Sequence, residues 1–184
     1  MNRIGLIMKL IPITHSTDPL LKDVLSLYES AFPKDERTSN EQFLAMIDKC
    51  PEMSFYAISE HGELDGMAVI WDLGICRYLL YLAVKEDKRN GGLGTEALRQ
   101  LLQQSSLPII GEVEYPESNP MASRRIGFYQ RNGFHIESED PKILNSSHHY
   151  DTCHLMLISS QPLKNIDECQ RRVVDVVYKN MHAE

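Results

Sequence analysis

A chain of 184 residues with 42% hydrophobic and 24% charged residues has the composition of one ordinary soluble domain with a sizeable core, which excludes predominant disorder. A net charge of −7, from 26 acidic against 19 basic side chains, leaves no basic face to displace counterions. That argues against a nucleic-acid or anionic-membrane surface and favours a cationic partner.

The opening MNRIGLIMKLIPI carries two basic residues but only a short apolar core, without a small-residue cleavage signal. No run reaches transmembrane length, so neither secretion nor membrane insertion is expected. Cys50, Cys76, Cys153 and Cys169 are scattered without a CxxC pair, and read as free thiols in a reducing cytoplasm rather than a zinc or redox motif. The organised domain is expected to start at Met8, with an edge strand over Lys9 to Thr14. Asp18 and Pro19 form a cap and first-turn pair ahead of a helix whose stripe is Leu20, Leu21, Val24, Leu25, Leu27 and Tyr28. It ends near Phe32 and Pro33, and Ser39 with Gln42 makes a capping box for a second helix carrying Phe43, Met46 and Ile47. Met53 to Ser59 and Leu64 to Trp71 then read as a hairpin around His61, Gly62 and Glu63.

Tyr78 to Val84 is an almost unbroken apolar run, the pattern of a central strand covered on both faces. A polar stretch and Gly91, Gly92 and Gly94 follow it, and Leu93, Ala97, Leu98, Leu101 and Leu102 then recur at helical spacing. A glycine-rich turn opening a helix lets backbone N–H groups converge at the positive end of the helix dipole, which suits a phosphate or pyrophosphate. Pro108 to Tyr115 is the return strand of a β-α-β crossover, parallel to the strand before the loop. Period two puts Glu112 and Glu114 on one of its faces, as candidate bases or amine anchors or as solvated edge residues.

Asn119 and Pro120 start another helix, with Ala122, Ile126 and Tyr129 on one stripe and Asn132 and Gly133 at its end. Thr152 to Ser159 is the last strand, after the polar Glu137 to Ser147. His148, His149 and His154 make no metal site, because adjacent strand residues face opposite ways and no carboxylate stands at ligand spacing. From Asn165 on, Ile166, Cys169, Val173, Val176 and Val177 form the stripe of a further helix, to be buried on the domain's own sheet or against a second copy, with a homodimer slightly favoured.

Two families share the loop's signature. Gly92, Gly94 and Ala97 satisfy the GxGxxA dinucleotide fingerprint, with Glu112 and Glu114 near the place of its acidic ribose ligand. That unit usually opens its domain, however, and here it stands mid-chain with too little sequence after it for a repeat. The stretch more closely resembles the acetyl-CoA loop of the GNAT superfamily of N-acetyltransferases: Arg89, Asn90, Gly91, Gly92, Leu93 and Gly94 match its pattern of Arg or Gln, two residues, Gly, one residue, Gly or Ala, with Val84 on the preceding strand. Arg124 to Ile136 resembles a second GNAT signature through Phe128, Tyr129, Gly133 and Phe134. It departs at Ala122, where the family often has an asparagine, with Asn119 displaced by a turn.

The resemblance implies a single α/β (α+β) domain over residues 8–159, with a central mixed, mostly antiparallel sheet flanked by helices, and a C-terminal helical extension over 160–184. It implies acetyl-CoA as acyl donor, its pantetheine arm on the backbone of Leu82, Ala83 and Val84 and its pyrophosphate on the N–H groups of Arg89, Asn90, Gly91, Gly92, Leu93, Gly94 and Thr95. The acceptor is a small-molecule or peptide amine, approached from Phe32 to Ser39 and Ser138 to Asp151. Tyr129 is the expected acid toward the leaving thiolate and Glu114, with Glu112 as rival, the expected base. A non-catalytic acyl-CoA sensor and a small nicotinamide-binding protein are the alternatives.

Overall fold

The computed structural model describes residues 8–138 and 155–183. The three histidines His148, His149 and His154, Cys153, the start of the predicted last strand and most of the second expected acceptor loop lie outside them. The elements run β1 (Lys9–Ile13), α1 (Leu21–Ala31), α2 (Asn40–Lys49), β2 (Met53–Glu60), β3 (Glu63–Asp72), β4 (Arg77–Val84), α3 (Leu93–Gln103), β5 (Ile109–Glu114), α4 (Pro120–Arg131), β6 (His135–Ser138), β7 (Leu155–Ser159) and α5 (Ile166–Arg172). A π-helical stretch (Val173–Tyr178) and α6 (Lys179–Met181) continue α5. Seven strands make one sheet in the order β1-β2-β3-β4-β5-β7-β6. β4 and β5 pair in parallel, as the crossover requires, whereas β1 with β2, β5 with β7 and β6 with β7 are antiparallel.

The described residues up to Ile70 together with Tyr81–Ser105 form one compact unit. Its centre is aromatic: Tyr28 stacks on Phe43 at 4.6 Å, and Tyr81 meets Tyr28 edge-on at 5.1 Å. The two phenols also hold the turn between α1 and α2, since Tyr81 donates to the Glu36 carbonyl at 2.8 Å and Tyr28 accepts from the Thr38 amide at 3.1 Å. In the predicted capping box Ser39 Oγ accepts the Gln42 N–H at 3.1 Å. Asp18 does not cap α1 itself; its carboxylate takes the amide of Leu20, and the helix begins one residue later.

Trp71–Leu80 and the residues from Ser106 on form the second unit. There the C-terminal stripe is covered by the chain itself. Cys169, Val173, Val177, Tyr178 and Met181 are buried, so this stripe gives no reason for pairing with a second copy. The buried set also differs from the even α-helical spacing, with Tyr178 in it and Val176 only half-buried. The π turn supplies the reason, because its wider repeat brings Val177 and Tyr178 to the same face as Val173.

Candidate active site

The first part of the site is the passage from β4 into α3. Asp65, 1% exposed on β3, anchors its beginning: its side chain accepts the Glu60 amide at 2.6 Å and faces Lys88 Nζ at 3.5 Å, and its carbonyl takes the Lys85 amide at 2.8 Å. Beside it, a Cβ on Gly66 would lie 2.5 Å from the Ala83 carbonyl oxygen, so β3 approaches this segment of β4 as only glycine permits. A short 3₁₀ turn (Glu86–Lys88) follows and is closed by the Arg89 amide on the Glu86 carbonyl at 3.3 Å, while Arg89 Nε returns to the Val84 carbonyl at 3.1 Å. The Arg89 N–H, expected on the pyrophosphate, is engaged within the loop in this structure.

Asn90 and Gly92 have φ of 65° and 88°, and Gly92 is the N-cap of α3 without any side-chain cap. A β-branched residue could not hold that φ without strain, even though nothing stands near a Cβ there. The first bond of the helix is the Glu96 amide to the Gly92 carbonyl at 2.9 Å. The amides of Gly91, Gly92, Leu93, Gly94 and Thr95 precede it and have no partner among the described residues. Glu96, the acidic residue of the first turn, is turned toward Arg99 at 2.6 Å and Gln100 at 2.9 Å, whose hydrogen bonds hold its carboxyl down to about 2. Residues 89–92 are exposed. The loop therefore offers open N–H groups at the positive end of an 11-residue helix, which fits a pyrophosphate.

The second unit holds the predicted acid and bases. Glu114 ends β5, and Asn119 Nδ2 donates to both of its oxygens at 3.1 Å while Arg125 Nη1 donates at 3.2 Å. The other end of the Asn119 amide caps α4, accepting the N–H groups of Met121 and Ala122 at 3.0 Å each. Asn119 is thus occupied at both ends within the protein. Glu112, on the same strand face, meets other partners: its carboxyl bonds the hydroxyl of Tyr178 from the C-terminal helix and that of Tyr78 from β4. Its Oε1 is buried without a partner, and burial raises the carboxyl to about 7 against the pull of the two hydroxyls. Tyr129, one turn after Arg125 on α4, is half-buried between Phe128 at 5.2 Å and Phe134 at 5.3 Å. Burial pushes its phenol up to about 12, with the Arg125 charge acting in the opposite direction.

Each functional half is therefore built within its own stretch of chain. Arg125, Tyr178 and Gly66 escaped the sequence reading, since an arginine, a tyrosine at the end of an apolar stripe and a strand glycine carry no signal of their own; Asn119 was legible as a helix cap but not as a partner of Glu114.

A strand feeding an uncapped, glycine-opened helix, followed by a crossover strand and a second helix, defines an α/β protein with an anion-binding helix start. The acetyltransferase (GNAT) family model matches residues 21–134, and the chain belongs to that family. A GNAT-family acetyltransferase from Bacteroides thetaiotaomicron is similar over 92% of this chain and 98% of its own, at 27% identity and a TM-score of 0.80. A GNAT acetyltransferase from Elizabethkingia anophelis with acetyl-CoA bound shares the fold at 16% identity, over 84% of this chain and 97% of its own, with a TM-score of 0.59. Arabidopsis thaliana Naa50 in complex with the bisubstrate analogue CoA-Ac-MVNAL does so at 18% identity, over 84% and 98%, with a TM-score of 0.61. No curated protein matches the sequence. Among the described residues no helix is long and apolar enough to cross a membrane.

Proposed function

We propose that this acetyltransferase moves an acetyl group from acetyl-CoA to a primary amine by direct attack, without a covalent enzyme intermediate. The observation that carries the reading is the open start of α3: amides from Gly91 to Thr95 without partners among the described residues, in a sequence that matches the family's donor loop. Acetyl-CoA supplies an activated thioester. Asn90 to Thr95 hold its pyrophosphate, and the backbone of Leu82 and Ala83, beyond the last β4–β5 pair at Tyr78 and Ile110, receives the pantetheine arm. The acidic chain, at −7, favours a cationic acceptor over an anionic one.

In the reaction a C–N bond forms, the C–S bond breaks, the amine loses a proton and the departing sulfur gains one. An alkylamine with a pKa of about 10.4 is neutral in roughly one molecule per thousand at pH 7, so a group that takes its proton raises the rate. Glu114, partly exposed and oriented by Asn119 and Arg125, is the base in this reading. Glu112 is withdrawn from that role because Tyr178 and Tyr78 enclose its carboxyl. Tyr129 acts on the sulfur side. With its phenol at about 12, well above a free thiol at about 8.5, it stays protonated and stabilises the developing charge as a hydrogen-bond donor rather than by full proton transfer.

The test is a pH–rate profile on the best acceptor from an amine panel, read as free-thiol release. Tyr129→Phe keeps the ring and removes the donor, and should retain acetyl-CoA affinity while kcat falls roughly 10²- to 10⁴-fold. Glu114→Gln should lose most at neutral pH and recover partly as the free amine becomes abundant. Wild-type rates in Tyr129→Phe would remove it from the mechanism, and a Glu114→Gln profile parallel to wild type at every pH would move deprotonation to solvent.

A further inference from the structure

Three residues from distant parts of the second unit converge beneath the C-terminal helix. Glu112 comes from β5, Tyr78 from β4, and Tyr178 from the π-helical stretch, its ring 6.5 Å from that of Tyr78 and nearly perpendicular at 87°. The Tyr178 hydroxyl donates to Glu112 Oε2, while Glu112 Oε1 lies out of reach of solvent with no hydrogen-bond partner. An ionised carboxylate has about four acceptor sites to fill, and here only one oxygen is served by hydroxyls. Among the described residues no Lys, Arg or His acts on it: the groups facing it are Tyr178 from the helix and Tyr78 from β4, and its register partner on β7 is the apolar Leu157. The arrangement suits a neutral carboxylic acid, and it holds only while the helix covers it.

We propose that the helix from Ile166 to Met181 is a pH-sensitive latch, closed over Glu112 through Tyr178 and loosened as the pH rises through neutrality.

The sign follows from the two states of Glu112. Covered, burial holds its carboxyl at about 7; uncovered, it returns to the ordinary value near 4.5. A carboxyl raised in the closed state contributes fully to closure below the uncovered value and loses that contribution as the pH rises through the covered one. Between pH 6 and pH 8 the population with the helix lifted should increase about tenfold. Tyr178, also raised by burial, remains a donor across this range. Two further contacts hold the helix: Arg172 Nη1 donates to the Leu73 carbonyl at 3.2 Å, and Cys169 meets Cys76, both thiols being raised by burial.

Amide hydrogen exchange of peptides within Ile166–Met181, normalised for intrinsic exchange, measures the lifting in the full chain. Wild type should show about tenfold less protection at pH 8 than at pH 6. Glu112→Gln should abolish that difference, and Tyr178→Phe should reduce protection at both pH values while leaving it lower at pH 8 than at pH 6. Carboxyl NMR of Glu112 gives a reading that needs no variant, with a midpoint near 7 expected. Equal protection at the two pH values, the same tenfold difference in Glu112→Gln, or an ordinary midpoint near 4.5 would each overturn the latch.

Discussion

The two strands that pair in parallel, β4 and β5, each run into a helix, and the two helix starts are built in opposite ways. At α4 the chain closes its own N-terminus: Pro120 removes one donor and Asn119 takes the amides of Met121 and Ala122. At α3 it does not. Gly92 stands at the cap with φ 88° and no capping side chain, and five successive amides from Gly91 to Thr95 are left without partners among the described residues. Both starts carry the same dipole, so the dipole cannot tell them apart. What separates them is whether the amides are already spoken for, and by that criterion only α3 is open to an anionic ligand.

The sharpest way to break this contrast is to fill the α3 start. Gly92→Val places a β-branched residue at positive φ and should lower acetyl-CoA affinity by more than 10²-fold, measured by titration calorimetry, with the fold retained on its own apolar faces. Undiminished affinity in a folded Gly92→Val protein would sink the assignment of the donor loop. A subtler change transfers the device of α4 to α3. Asn tolerates positive φ and can accept a helix amide, so Gly92→Asn should weaken acetyl-CoA binding by about tenfold while leaving thermal stability unchanged or slightly improved. The smallest effect is expected from the opposite change. Asn119→Ala opens α4, costing ~1 kcal/mol of stability in a denaturant titration, and leaves acetyl-CoA affinity within about twofold. A loss of affinity as large as that of Gly92→Asn would show that the α4 start, too, contributes to the donor site.

The strand–glycine–helix passage was legible because each of its parts is local. An apolar run of strand length, three glycines within four positions and a helical stripe depend on neighbours a few residues away, and the 3₁₀ turn that uses the Arg89 amide altered only one member of the set. The same holds for β5 as a parallel return strand and for α4, whose start at Asn119 and Pro120 and whose end at Asn132 and Gly133 were readable from capping chemistry.

What period two could not supply was the fate of the two glutamates it placed side by side. They share a strand face, yet one is held by Asn119 and Arg125 and the other by Tyr178 and Tyr78. Those partners lie 5 and 11 residues away for Glu114, and 66 residues away for Tyr178 and Glu112. The destination of the C-terminal stripe is of the same kind. Its apolar spacing determined that the helix must be buried, but a hydrophobic stripe carries no address, and either its own sheet or a second copy would satisfy it. Only the folded chain decides that it covers Glu112, because the π turn that brings Tyr178 to the buried face and the carboxyl that it meets come from segments that approach each other only after the sheet is assembled.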